Sequence, residues 1–124
     1  KETVSLIRQV ETATKHHGGA QLTVLIAYSG DREMVAGVKG LARSRKTITA
    51  KTLKDSIWTR TLPPVDFIIR TGVEGDPHNS AGFMMWLARD SQLYYSDILW
   101  PAFTKEDFER AIREYQKRER RHGR

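Results

Sequence analysis

The chain of 124 residues carries 21 Lys and Arg against 15 Asp and Glu, a formal charge of +6, and no cysteine. That length suits one domain with a modest core, and the missing thiols exclude a disulfide framework or a thiolate metal site and fit a reducing compartment. No apolar run approaches the roughly 20 residues of a membrane-spanning helix, and the opening KETVSLIRQV lacks the apolar core and cleavage site of a signal peptide.

The first residue is not Met, so the natural polypeptide is expected to start earlier. Val4, Ile7, Val10 and Ala13 or Thr14 fall at helical spacing and predict a helix over residues 3–15. His16, His17, Gly18 and Gly19 stop it, since glycine follows helix ends and histidine suits their negative pole. Adjacent histidines on a helix project about 100° apart, a poor arrangement for one shared metal ion. Residues 22–30, LTVLIAYSG, form a continuous apolar run that predicts a strand buried on both faces, hence in a parallel sheet. Asp31 is the expected cap of a helix over 32–42, with Met34, Val35, Val38, Leu41 and Ala42 inward. Thr49 is expected to cap a second helix reaching Ile57 and Trp58, with Leu53 on the same face. Pro63 and Pro64 end that connection, and residues 65–70 read as a second buried strand.

Residues 83–87 look helical, residues 93–96 make a third, short strand, and Pro101 breaks the chain. Thr104 caps a last helix, with Asp107 in the reciprocal capping position and Phe108, Ala111, Ile112 and Tyr115 as its apolar stripe. Alternating strands and helices predict an α/β parallel-sheet layer fold, one domain over residues 1–124. Three strands leave a sheet edge in need of cover, which suggests part of a larger domain or a subunit completed by another chain.

In open parallel sheets ligands bind beyond the carboxyl ends of the strands, where Arg70 stands. Its planar fork of donors suits a phosphate. Gly72 lets the backbone turn and Gly75 relaxes the loop again. Arg70, Thr71, Ser80 and the amides of residues 80–82, at an expected helix start, could jointly grip a diphosphate. Glu74 would orient Arg70; alternatively Glu74 or Asp76 simply pins Arg70 to its own loop. Phe83, Met84, Met85 and Trp86 fit either a hydrocarbon pocket or, by default, the core. Tyr94 and Tyr95 point to opposite faces of their strand. The last eight residues, KRERRHGR, carry a net +4. Such a tail can meet nucleic acid, anionic lipid or a phosphorylated small molecule, or serve as a solvated helix end. Little else interleaves aromatic and basic residues, so a nucleic-acid partner is not expected.

The segments VDFIIRTGVEG, FMMW, LYYSDILWPAFTKEDFERAI and RERRHG resemble the C-terminal half of the cis-prenyltransferases, the undecaprenyl diphosphate synthases and their relatives. LTVLIAYSGDREM is similar to the family's LNxALNYGGRxEI, and the likeness covers roughly residues 3–123. The resemblance implies the C-terminal half of that family's α/β parallel-sheet fold. It implies condensation of isopentenyl diphosphate with an allylic diphosphate, Mg²⁺ as cofactor, and a homodimer or a heterodimer with a homologous subunit. It implies a cytoplasmic place, with peripheral membrane association left open.

By the same resemblance Arg70 matches the first arginine of the RTSGExR motif and Glu74 its glutamate. Arg121 and Gly123 match the terminal Arg-x-Gly, which reaches a diphosphate across the dimer interface. The diphosphate-binding set is then Arg70, Thr71, Gly72, Glu74, His78, Ser80, Arg121 and Gly123. Three departures from the pattern stand out. The family's N-terminal Asp-Gly-Asn-x-Arg segment is absent, so no catalytic residue is assigned and these residues alone are expected to be inactive. The loop RTGVEGDPHNSAGFMMW is about three residues longer than the family's and has no second arginine; His78 replaces it only in part, and Ser80 stands in for the motif serine. Gln92 takes the place of the family's Mg²⁺-binding glutamate, and a neutral amide is the poorer ligand for a hard cation. A non-catalytic partner subunit of the same fold is the alternative reading.

Overall fold

The structure, a computed structural model, describes residues 2–80 and 82–118. In chain order it has α1 (Glu2–Thr14), α2 (Gly30–Ser44), α3 (Ala50–Ser56), β1 (Phe67–Thr71), β2 (Gln92–Ser96), a 3-10 turn (Trp100–Ala102) and α4 (Lys105–Gln116). β1 and β2 pair in parallel, with Phe67 opposite Gln92 and Arg70 opposite Tyr95. α4 packs against β2, and α2 against α3. No helix of the described residues is long and apolar enough to cross a membrane.

The capping chemistry explains the helix starts. Thr49 and Thr104 each complete a reciprocal capping box, with Thr52 and Asp107. α2 starts two residues before expectation: Ser29, not Asp31, accepts the Arg32 N–H and is the cap. α3 stops at Ser56, so Ile57 and Trp58 lie beyond it. Ile57 is fully buried while Trp58 is 53 % exposed. α2 meets α3 through Gly37, where a Cβ would stand only 3.2 Å from the Ile57 side chain.

Several apolar stripes differ from expectation. α2 buries Gly30, Glu33, Gly37 and Leu41, and leaves Val35 and Val38 outside. On α4 the buried positions are Asp107 and Ala111, with Phe108 exposed. α1 buries none of its residues.

The strand expected over residues 22–30 does not form. Ala27 sits at φ +51, in the left-handed region that interrupts an extended run, and the two strands that exist use each other as partners. The sheet of the described residues therefore has two strands rather than three. The helix expected over 83–87 is a series of turns instead. Gly82 and Met84 both have positive φ (+55 and +45), which no right-handed helix accommodates. The core is small: Leu41, Ile57, Val73, Met84, Leu87 and Ala111 are its buried apolar residues.

Candidate functional site

β1 carries Arg70 to its carboxyl end, and the chain turns away at Gly72, whose φ is +66. The loop that follows is fastened to the segment leaving β2. Gly72 N–H donates to the Ile98 carbonyl (2.9 Å) and Val73 N–H to that of Ser96 (3.2 Å). Gly75 N–H donates to Asp97 Oδ1 at 2.8 Å. These bonds hold the rim in place while leaving the Arg70 side chain uncommitted. The Arg70 Nε is buried and has no hydrogen-bond partner. No ion pair joins Arg70 to any described residue.

The two acids that could have pinned Arg70 are engaged elsewhere or point outward. Glu74 is exposed at φ +49, with no ion pair to Arg70. Asp76 faces His78, with Nδ1 3.3 Å from Oδ2, and the same Nδ1 lies 2.7 Å from the Asp76 carbonyl oxygen. A buried guanidinium nitrogen without a partner is costly, so a ligand that accepts from it gains correspondingly.

Arg70 lines a cleft of about 370 Å³. Leu25, Ala27, Ile68, Ile69 and Phe83 give it an apolar wall, while Arg70, Tyr28, Asn79 and Ser80 bring polar groups. One cation, an amide and two hydroxyls beside a hydrocarbon surface fit an amphiphilic anion with a small apolar tail. Of the residues expected to bind diphosphate, Arg70 and Ser80 line this cleft. Thr71 and Gly72 shape its rim, and Glu74 and His78 are exposed. Residues 82–87, where a helix start was expected to offer its amides, form turns instead. Arg121 and Gly123 lie outside the described residues.

Gln92 begins β2, three pairs before Tyr95, which stands beside Arg70. Its Oε1 is buried without a partner, but the register places it at the other end of the sheet from Arg70. Among the described residues no three His, Cys, Asp or Glu side chains are grouped to hold a metal ion.

Sequence reasoning missed Tyr28, Asn79 and Glu33. The Tyr28 ring meets Phe83 edge-on (6.2 Å between centroids) and Trp58 likewise (6.4 Å). Its hydroxyl donates to Glu33 Oε2. The other oxygen of Glu33 accepts the Thr59 N–H at 2.7 Å, and Glu33 is 0 % exposed. Burial pushes the Tyr28 phenol well above its ordinary value; the Glu33 hydrogen bond and charge add to this, and a backbone hydrogen bond with Met84 opposes it. Phe83, assigned by default to the core, is 42 % exposed and lines the cleft, whereas Met84 is buried.

Known proteins share this framework. The chain is 39 % identical to an isoprenyl transferase of Thermus thermophilus, over 99 % of its own length and 50 % of that protein's. It is 38 % identical to a geranylgeranyl-diphosphate-specific tritrans,polycis-undecaprenyl-diphosphate synthase of Methanopyrus kandleri, covering 95 % of this chain and 45 % of the relative. The chain thus spans about half the length of the curated relatives it matches. The crystal structure of a probable undecaprenyl diphosphate synthase from Campylobacter jejuni superposes with a TM-score of 0.81 at 25 % identity, over 100 % of this chain and 57 % of that one. Lavandulyl diphosphate synthase from Lavandula x intermedia shares the fold, with a TM-score of 0.86 at 21 % identity over 97 % of this chain and 53 % of that one. The family model for undecaprenyl diphosphate synthase matches residues 1–123. By sequence and by fold, the chain belongs to the undecaprenyl diphosphate synthase family of prenyltransferases.

Proposed function

We propose that this chain supplies the isopentenyl-diphosphate-binding part of a cis-prenyltransferase, which joins that substrate to an allylic diphosphate. One observation carries the reading: Arg70 lines a cleft with an apolar wall and keeps a buried Nε that no protein group satisfies. In this role the guanidinium takes the diphosphate oxygens. Asn79 and Ser80 donate further hydrogen bonds, and Ile68, Ile69 and Phe83 hold the isoprene unit. Thr71 and Gly72 set the angle at which the strand delivers Arg70.

The described residues do not make a Mg²⁺ site. They offer no acidic cluster, and Gln92 supplies only a neutral amide oxygen. Binding and orientation of substrate are therefore the roles assigned to this chain, and the 124 residues alone are expected to bind without turnover. A dimer, in which a second subunit adds groups near the diphosphate, belongs to the same proposal.

Isothermal titration of isopentenyl diphosphate into the complete protein and its Arg70→Ala variant tests the reading. Loss of one charged hydrogen-bonding group costs roughly 1.5–3 kcal/mol, a drop in affinity of about ten- to a hundredfold. Equal affinity defeats the proposal.

Two features favour a second reading, in which the protein is a non-catalytic partner in a heteromeric enzyme. Gln92 stands in place of the family's acid, and His78 is turned to Asp76 on the surface. Co-expression with a catalytic homologue separates the two: a stable heteromer with activity absent from this protein alone supports the partner role, and turnover by the complete homomer excludes it.

A further inference from the structure

Glu33 is among the most deeply buried large side chains of the described residues, yet no cation pairs with it. An acid in that setting costs free energy unless hydrogen bonds replace its water, and both its oxygens are used. Oε1 accepts from the Thr59 N–H, 26 residues away in sequence. Oε2 accepts from the Tyr28 hydroxyl, just before α2. The Tyr28 ring in turn meets the Phe83 ring edge-on, 6.2 Å between centroids. Phe83 and Tyr28 both line the cleft. A single chain of contacts, hydrogen bonds from Thr59 to Glu33 to Tyr28 and then the ring contact to Phe83, therefore joins residue 59, the start of α2 and the turn at residue 83, and Tyr28 and Phe83 form walls of the cleft.

We propose that Glu33 is a positioning residue for diphosphate binding, acting through Tyr28 to hold the Tyr28 and Phe83 walls in register with Arg70. This rests on the proposed function of the cleft. With its one proton committed to Glu33, the Tyr28 hydroxyl has none to donate to an anionic ligand. The cleft sees the ring, which confines the apolar tail, and the donors for the anion are those of Arg70, Asn79 and Ser80. Glu33→Gln keeps the shape but sets an amide NH₂ against one of two groups that both donate. Either the Tyr28 hydroxyl must then reverse or the Thr59 N–H loses its acceptor. Tyr28→Phe keeps the ring and cuts the tether.

The test is titration of isopentenyl diphosphate into the complete protein and its Glu33→Gln, Tyr28→Phe, double and Arg70→Ala variants. Each tether variant is expected to weaken binding by roughly three- to tenfold, the range of one lost hydrogen bond. The double variant should be no weaker than the worse single one, because both cut the same chain. A merely structural Glu33 predicts something else: a lower melting temperature with unchanged affinity of the folded protein. That result, or multiplicative losses in the double variant, overturns the inference even where Arg70→Ala weakens binding. If Arg70→Ala binds as wild type, the proposed function falls and this inference with it. If Glu33→Gln does not fold, Tyr28→Phe decides alone, and wild-type affinity there overturns the proposal.

Discussion

At Tyr28 the phenol is disfavoured as an anion, first by burial and then by the Glu33 hydrogen bond and charge. An acid whose ionisation is harder in the folded state than in the unfolded chain stabilises the fold below its ordinary value of about 10. Above that pH the unfolded chain loses the proton first, so stability falls as pH rises further. Wild-type protein should therefore lose stability more steeply above pH ~10 than Tyr28→Phe does. Urea denaturation midpoints at a series of alkaline pH values check this, and parallel curves would remove the phenol from the account. Arg70 was legible because an apolar run ending in a cation is a local signal. Glu33 was not. A glutamate in the first turn of an amphipathic helix reads as solvent-facing, and only the fold brings Thr59 over it.

Among the elements, the start of α2 comes close to the turn after the rim loop. A Cβ built on Gly30 would stand 1.8 Å from the Gly82 carbonyl oxygen. Helix propensity alone predicts that Gly30→Ala stabilises the protein by up to about 1 kcal/mol. The collision with backbone predicts the opposite sign, a loss of roughly 1–3 kcal/mol. It also predicts weaker isopentenyl diphosphate binding, since Tyr28 lies two residues before. Thermal denaturation with titration of the same variant decides which effect wins. The capped helices α3 and α4 and both paired strands were readable from short-range chemistry: Thr49 with Thr52, Thr104 with Asp107, and the apolar runs before Arg70 and Ser96. Residues 22–30 and 83–87 were not. Their patterns fit a strand and a helix, but positive φ at Ala27, Gly82 and Met84 depends on what those segments pack against.

Among the described residues, many large apolar side chains lack cover. Val4, Leu6, Ile7 and Val10 stand out on α1, and Leu22, Val24 and Ile26 on the segment after it, from 41 % to 88 % exposed. That many exposed large apolar side chains are unusual for a monomer in water. The 124-residue chain purified alone should bind a hydrophobic dye strongly and self-associate as concentration rises. Dye fluorescence and sedimentation across a concentration series measure both, and a dye-silent monomer would contradict the exposure. The layer class and the parallel pairing were accessible from the alternation of elements. The uncovered side was not, because an apolar run declares that it wants burial without naming what buries it.

The three hydrogen bonds from Gly72, Val73 and Gly75 to residues 96–98 tie the lip of the cleft to the strand exit that leads into α4. Neither exit can breathe alone. Proton–deuterium exchange at those three amides should report one shared opening event, slowed together when a phosphorylated ligand seats. The helix that closes the described chain would thus sense occupancy of a pocket it never touches.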